Sequence, residues 1–378
     1  MIMKLLILGG SGILSTDFTK LCLDNKDDVY IVNRGKKKEF IDDRANLIIA
    51  DLRIESVEEL RKKISFTKYD VVIDFLSFNT KQMIKTLEII KDCFSQYIFI
   101  SSATAYIKNN PNEIISEKNP VGNKDWDYAY QKSLCEKYLR QKDINYTIIR
   151  PYVTFGVSRI PFPIIPYNHH YTLLQRIKEN KPVIMLDDGR AICTLTSTKD
   201  FAKVLYRLLL NKKGYKEDFN ITSNNRQTWK EVYLNICKLL NKSSKICSVS
   251  MKEIHKYMPE YEDILKGDKG QNMMFDNSKV LSVIGDFKFE YTLNAALKES
   301  IDYYESHLEM QGIDYKWEGK CDYIAKKKGY SELKCVTGYN EKSNNPHLYS
   351  LMMNPISRFC YEKAKNIKNW TNGFKSTR

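Results

Sequence analysis

Residues 4–15, KLLILGGSGILS, constrain the fold of this chain more than any other stretch. A short apolar run stops at a glycine pair and gives way to a helix-length segment, which reads as strand, tight turn and helix. Such a turn aims backbone N–H groups and the positive end of a helix at one point, the geometry that holds a pyrophosphate. A lone Gly-x-x-Gly carries little weight. Here Gly9 allows the turn and Gly12 permits close backbone approach. Ser15 stands where a third glycine is expected and is small enough to pack helix on strand.

The following residues repeat that alternation. Apolar runs at VYIVN (29–33), ANLIIADL (45–52), DVVIDFL (70–76), YIFISS (97–102) and YTIIRP (146–151) are separated by helical patterns at 56–64, 80–93 and 127–141. In 80–93 the apolar residues Met83, Ile84, Leu87 and Ile90 recur at helical spacing. Strands apolar on both faces and separated by helices predict an α/β fold, a parallel sheet covered on both sides. Beyond 151 the rhythm loosens. Prolines 161, 163 and 166 mark a loop, and later helices near 198–211 and 228–241 alternate with short strands. The expected organisation is a dinucleotide-binding core over 1–155, a smaller substrate lobe over 156–305 interleaved with the end of the core, and an extension over 306–378.

No apolar run reaches the roughly 18–20 residues of a membrane span. The N-terminal apolar stretch is short and runs into a glycine turn, which argues for a first strand and against a signal peptide. Nine cysteines without a C-x-x-C suit reduced thiols in a cytoplasm. The five histidines show no metal-ligand spacing, so no metal is expected. The net charge of +14 raises nucleic acid as a partner, but residues 316–378 hold thirteen Lys or Arg against five Asp or Glu. More than half of the surplus therefore lies in the tail, and the rest of the chain is mildly basic. There, NPISRFCYEKAKNIKNW (354–370) reads as a basic amphipathic helix with Ile356, Phe359, Cys360, Ile367 and Trp370 on its apolar side. It is expected to pack on its own domain or a partner subunit, with an anionic membrane or nucleic acid as the alternatives.

The second strand ends Asn33-Arg34-Gly35, the position that meets the adenosine ribose in a dinucleotide fold. Asn33 is not acidic, Arg34 can pair with a 2′-phosphate, and Lys36 to Lys38 deepen the positive field; a solvated basic loop is the alternative. Asp51 is placed to accept from an adenine amine or to cap its turn.

The stretches GGSGILS, YIFISSATAY, YAYQK, TIIRPYVTFG and FDNSKVLSVIG (275–285) occur in the order found in the extended short-chain dehydrogenase/reductases. The chain most resembles their NAD-dependent epimerase/dehydratase subset over about residues 3–305. That resemblance implies a Rossmann-type doubly wound sheet, a bound NAD or NADP, a homodimer through the helices near 80–93 and 127–141, and a Ser–Tyr–Lys catalytic set at Ser102, Tyr128 and Lys132. It places the dinucleotide against Gly9, Gly10, Ser11, Gly12, Ile13, Leu14, Asn33, Arg34, Asp51, Leu52, Leu76, Ser101, Tyr128, Lys132 and Pro151. Arg34 gives a slight lean to NADP.

Five Tyr-x-x-x-Lys pairs occur in the chain, at 128, 138, 323, 330 and 361, so the spacing alone is uninformative. Only Tyr128 and Lys132 lie on a helix between a strand ending SSA and one ending RP. One cation about 4 Å from a phenol contributes roughly 4 kcal/mol at an effective dielectric near 20, enough to bring its pKa toward neutrality. Dehydratases of the family carry an acid after Thr at the position where this chain reads SATAY, which disfavours lyase chemistry. The arginine found seven residues before the D-x-A element of many UDP-sugar enzymes is Cys193 here, and Arg190 is the nearest substitute. Thr104, His169, His170 and Arg190 are the candidate substrate contacts. The expected function is oxidation, reduction or epimerisation at a hydroxyl or keto carbon, of a nucleotide-activated sugar. The alternative is a non-catalytic or RNA-binding member, because some chloroplast members that bind RNA are similar around the NRG and DVVIDF segments.

Overall fold

The computed structural model describes residues 2–36, 40–108, 110–338, 345–361 and 363–364. Lys37, Lys38, Ile367 and Trp370, all named above, lie outside the described residues.

Seven strands form one all-parallel sheet: β1 (Lys4–Leu8), β2 (Asp28–Asn33), β3 (Asn46–Ile49), β4 (Tyr69–Asp74), β5 (Phe94–Ile100), β6 (Tyr146–Pro151) and β7 (Glu217–Ile221). Their spatial order is β7-β6-β5-β4-β1-β2-β3. The order reverses beside β1, the switch point at which open α/β sheets bind ligands. Side chains alternate across the pleat. Leu5, Ile7, Ile31, Val71, Ile73 and Ile98 therefore pack with Phe18 of α1 (Ile13–Asp24) and with Phe201 and Leu205 of the helix Thr198–Tyr206. Leu6, Leu8, Val72, Tyr97, Phe99 and Ile148 face the other way. They meet Leu60 of α2 (Val57–Ile64), Met83 of α3 (Thr80–Ile89) and Cys135 and Leu139 of α4 (Asp127–Leu139). The strands and helices are those the hydrophobic pattern predicts, generally a few residues shorter.

The division of the chain differs from the three segments expected. One compact unit comprises 1–161, 191–228 and 263–299; the other comprises 162–190, 229–262 and 300–378. The end of the core thus takes in 263–299, and the extension belongs to the second unit. The reason is visible in the helix Tyr315–Lys327, ten of whose thirteen residues are buried. Its Glu318 and Asp322 are fully buried and pair with Arg176, at 2.8 and 2.7 Å, and with Lys181. Tyr349 adds a hydrogen bond to Asp322 at 2.7 Å. Residues 355–361 are helical, but Ile356 and Phe359 are exposed. The segment meets the rest of the unit through Arg358, whose guanidinium lies 3.8 Å from the Tyr323 ring centre, and through Tyr361, whose ring centre lies 5.0 Å from Lys316 Nζ. Among the described residues, no helix is long and apolar enough to cross a membrane.

Candidate active site

The glycine turn follows β1 directly. Gly9 and Gly10 have φ of 123° and 66°, a region open to glycine and costly for other residues. At Gly10 a Cβ would come within 2.2 Å of Ile31 Cγ2, so this position tolerates no side chain. At Gly12 a Cβ would meet only Ser15 Oγ, at 3.5 Å. No protein packing therefore requires glycine there, and the open approach suits a ligand. Ser15 is buried and its hydroxyl accepts from Gly12 N at 2.9 Å, so it holds the turn as well as packing the helix. The α1 amino end begins at Ile13 and Leu14 with no side-chain cap from the Gly12 position.

Asn33 accepts from Gly35 N at 2.7 Å through Oδ1, while its Nδ2 is buried without a partner among the described residues. A buried amide donor left open at the end of β2 is what a ribose hydroxyl would complete. Arg34 and Lys36 are exposed. Asp51 accepts from Arg53 N at 3.0 Å and its own amide donates to Glu55, so it organises its turn. Leu52 is half-buried beside it, and half-buried Leu76 lies against Gly9. These residues fit a dinucleotide laid across the strand ends.

Ser102 follows the carboxyl end of β5. Its hydroxyl is 2.9 Å from that of Thr104, and Ser102 acts on the Tyr128 phenol, lowering its pKa. Ser101 turns inward, donating to Glu136 at 2.5 Å. Glu136 holds Arg150 through two bonds of 2.9 and 2.6 Å. Ser101 therefore belongs to the scaffold under the site, and Pro151 closes β6 in register with Ile221.

Tyr128 sits in the first turn of α4, half-buried, with Trp126 and Phe78 ring centres 4.9 and 6.2 Å away. Lys132, one turn on, is buried, and its Nζ donates to Ser77 O and Ile100 O at 2.8 Å each. It also lies 4.9 and 4.8 Å from the Phe78 and Phe99 ring centres. Burial pushes its pKa down to about 8. The lysine thus spans the carboxyl ends of β4 and β5, its ammonium satisfied by carbonyls. Burial raises the Tyr128 pKa, opposed by Ser102 and the Arg159 guanidinium. Lys132, expected to lower it, has its ammonium on two carbonyls instead, and the groups that lower it are Ser102 and Arg159. The Tyr138–Lys142 pair on the same helix is a cation–π stack, with Nζ 4.2 Å from the ring centre.

Four residues near Tyr128 escaped the sequence reading. Burial lowers the pKa of Arg159, with the Tyr128 phenol acting against it. Lys269 is pushed down to about 8 by burial, with Arg159 adding to the push and Asp268 opposing it. Asp268, 1% exposed, is pushed up to about 6 by burial. Tyr152 lies against Asp268, yet its hydroxyl and Asp268 Oδ1 are both buried without a hydrogen-bond partner among the described residues. No sequence pattern marks them. Asp268 is 140 positions from Tyr128 and comes to the site only through the fold. Of the proposed substrate contacts, Thr104 lies beside Ser102. His169, His170 and Arg190 belong to the second unit, where Arg190 is exposed and paired with Asp188 at 3.2 Å.

A glycine turn at the switch point of an all-parallel sheet with helices packed on both faces defines a Rossmann-type fold. The family model for the NAD dependent epimerase/dehydratase family matches residues 5–222, and the chain belongs to that family. Among curated proteins it is similar to the chloroplast stem-loop binding protein of 41 kDa b of Arabidopsis thaliana. The two are 24% identical over 314 residues, covering 79% of this chain and 78% of the relative. Among solved structures it is similar to the epimerase Mth375 of Methanothermobacter thermautotrophicus, with TM-score 0.68, 14% identity and coverage of 82% of this chain and 94% of that one. The UDP-glucose 4-epimerase of Thermotoga maritima, solved with UDP-glucose, matches with TM-score 0.65, 18% identity and coverage of 80% and 99%. At these identities the structural matches speak for the fold.

Proposed function

We propose that the chain is a nicotinamide-dependent oxidoreductase or epimerase acting on a hydroxyl or keto carbon of a nucleotide-activated sugar. The observation that carries the reading is the placement of Tyr128 where Ser102 acts on its phenol, one helical turn from Lys132, whose ammonium is held by the Ser77 and Ile100 carbonyls. Gly9 to Leu14 would take the pyrophosphate and Asn33 a ribose hydroxyl. Bound there, the nicotinamide supplies the hydride donor or acceptor. Ser102 orients the reacting oxygen and Tyr128 exchanges its proton. With burial keeping the phenol protonated, Tyr128 is set to donate to a carbonyl oxygen. In the opposite direction the Arg159 guanidinium favours the phenolate. Arg34 supports NADP over NAD, because a guanidinium can hold a 2′-phosphate through two charge-assisted bonds. The nine unbridged cysteines suit a reducing cytoplasm, and the outer faces of α3 and α4, where Ile84 is exposed, support a homodimer.

Mass spectrometry of ligands released from the purified protein tests the reading. A nicotinamide dinucleotide accompanied by a nucleotide sugar supports it; RNA fragments without dinucleotide contradict it. RNA binding is the second reading, favoured by the similarity to a stem-loop binding protein and by the net charge of +14. Filter binding over a salt series separates the two, because phosphate contacts make affinity fall steeply with salt.

A further inference from the structure

We propose that Asp268, Tyr152 and Lys108 form a subsite for two adjacent hydroxyl groups of the substrate, beside the carbon presented to Tyr128. The inference rests on the reading of the site given above. The three residues come from separate parts of the first unit. Tyr152 follows β6, Lys108 lies in the loop beyond Ser102, and Asp268 is in a five-residue π-helical turn, Leu265–Lys269. Such turns recur at functional sites.

One oxygen of Asp268, the Tyr152 hydroxyl and the Lys108 ammonium are each buried without a hydrogen-bond partner among the described residues. Three such groups in isolation would be three defects. Here they form one group, because the Asp268 carboxylate acts electrostatically on Tyr152, on Lys108 and on Tyr128. Together they offer an acceptor, a hydroxyl that can donate or accept, and a cationic donor. One substrate hydroxyl can donate to Asp268 Oδ1 while accepting from Tyr152, and its neighbour can accept from Lys108. An apolar substrate would leave all three unsatisfied, and an anionic group would meet the carboxylate. Adjacent hydroxyls on a sugar ring fit both demands.

The turn is fastened to the segment that leads into α4, which fixes Asp268 relative to Tyr128. Asn123 Nδ2 donates to Gly267 O at 2.7 Å and to Thr104 O at 2.9 Å. Lys266 pairs with Asp125 at 2.8 Å. Gly267 approaches so closely that a Cβ would stand 3.0 Å from Trp126 Cβ. The charged and titratable groups facing Asp268 are Lys269, Tyr152, Lys108 and Tyr128. With the carboxyl pushed up to about 6, its acceptor capacity falls away below that pH.

The test is calorimetric titration of the cofactor-loaded full chain with UDP-glucose, dTDP-glucose and GDP-mannose, comparing wild type, Asp268→Asn and Tyr152→Phe. The subsite predicts that sugar affinity falls roughly ten- to a hundredfold in Asp268→Asn and about five- to tenfold in Tyr152→Phe, with dinucleotide affinity unchanged. Wild-type affinity should fall with pH through about 6 and that dependence should vanish in Asp268→Asn. Equal sugar affinity in all three proteins overturns the subsite and leaves the proposed function standing. Binding of none of the three sugars by the wild type overturns the nucleotide-sugar reading, and the subsite with it.

Discussion

In the second unit, Arg176 and Lys181 are buried against Glu318 and Asp322, and each carboxylate meets both cations. In the first unit, buried Asp268 and Tyr152 and half-buried Lys108 each keep a buried polar atom without a hydrogen-bond partner among the described residues. Both groups carry the desolvation cost of buried polar atoms. Only the Arg176 group offsets most of it inside the protein, with a single guanidinium nitrogen, Nη2, lacking a partner among the described residues. The difference separates scaffold from site: a completed network specifies packing, whereas an open one waits for atoms the chain does not supply. The same contrast holds within the first unit, where Arg150, Glu136 and Ser101 form a completed network next to Ser102.

The largest expected effect breaks the completed network. Glu318→Ala leaves Arg176 and Lys181 short of a buried partner and should cost about 3–5 kcal/mol in urea unfolding. Deleting 316–378 removes both carboxylates and should unfold the second unit. A truncated chain with unchanged unfolding would show that the network is dispensable.

Next comes the open group, with the opposite sign. The Asp268 carboxyl titrates at about 6 in the folded chain, against about 3.9 unfolded. A raised carboxyl pKa means the folded state binds more protons between those values, so stability declines as pH rises through that window and stays lower above it. Asp268→Asn should therefore stabilise the protein by about 2–3 kcal/mol at a pH of about 8, and by nothing at about 4. Destabilisation at the higher pH would place Asp268 with the scaffold.

The smallest effect belongs to an exposed charge. Arg34→Ala should leave unfolding unchanged and weaken NADP by roughly ten- to a hundredfold with NAD nearly unaffected. Equal losses for both dinucleotides would mean that Arg34 stacks on the adenine; preference of the unaltered protein for NAD would mean that Asn33 suffices for the ribose.

Much of this was legible in the sequence wherever the determining contacts are local. Apolar alternation gave the strands, and the Gly9–Gly12 turn and the Tyr128 helix followed from neighbouring residues. Three things were hidden for physical reasons. The i, i+4 spacing put Tyr128 and Lys132 on one helix face, but a four-carbon stem reaches further than one turn. The ammonium settles on the Ser77 and Ile100 carbonyls. Arg159 and Asp268 act on Tyr128, and Tyr152 on Asp268, only through tertiary folding, so no window of sequence contains them together. The helix Tyr315–Lys327 falls in the expected extension, and its place in the second unit depends on Arg176 and Lys181, far earlier in the chain, which pair with its Glu318 and Asp322.

The most direct test of the central claim, that the Ser102–Tyr128 pair exchanges the substrate proton, is Tyr128→Phe. Reduced-nicotinamide absorbance should be followed in single turnovers with a nucleotide sugar identified by ligand release. The account predicts a fall in rate of roughly a hundred- to ten-thousandfold, with dinucleotide affinity and unfolding unchanged. An unaltered rate in the variant would contradict it.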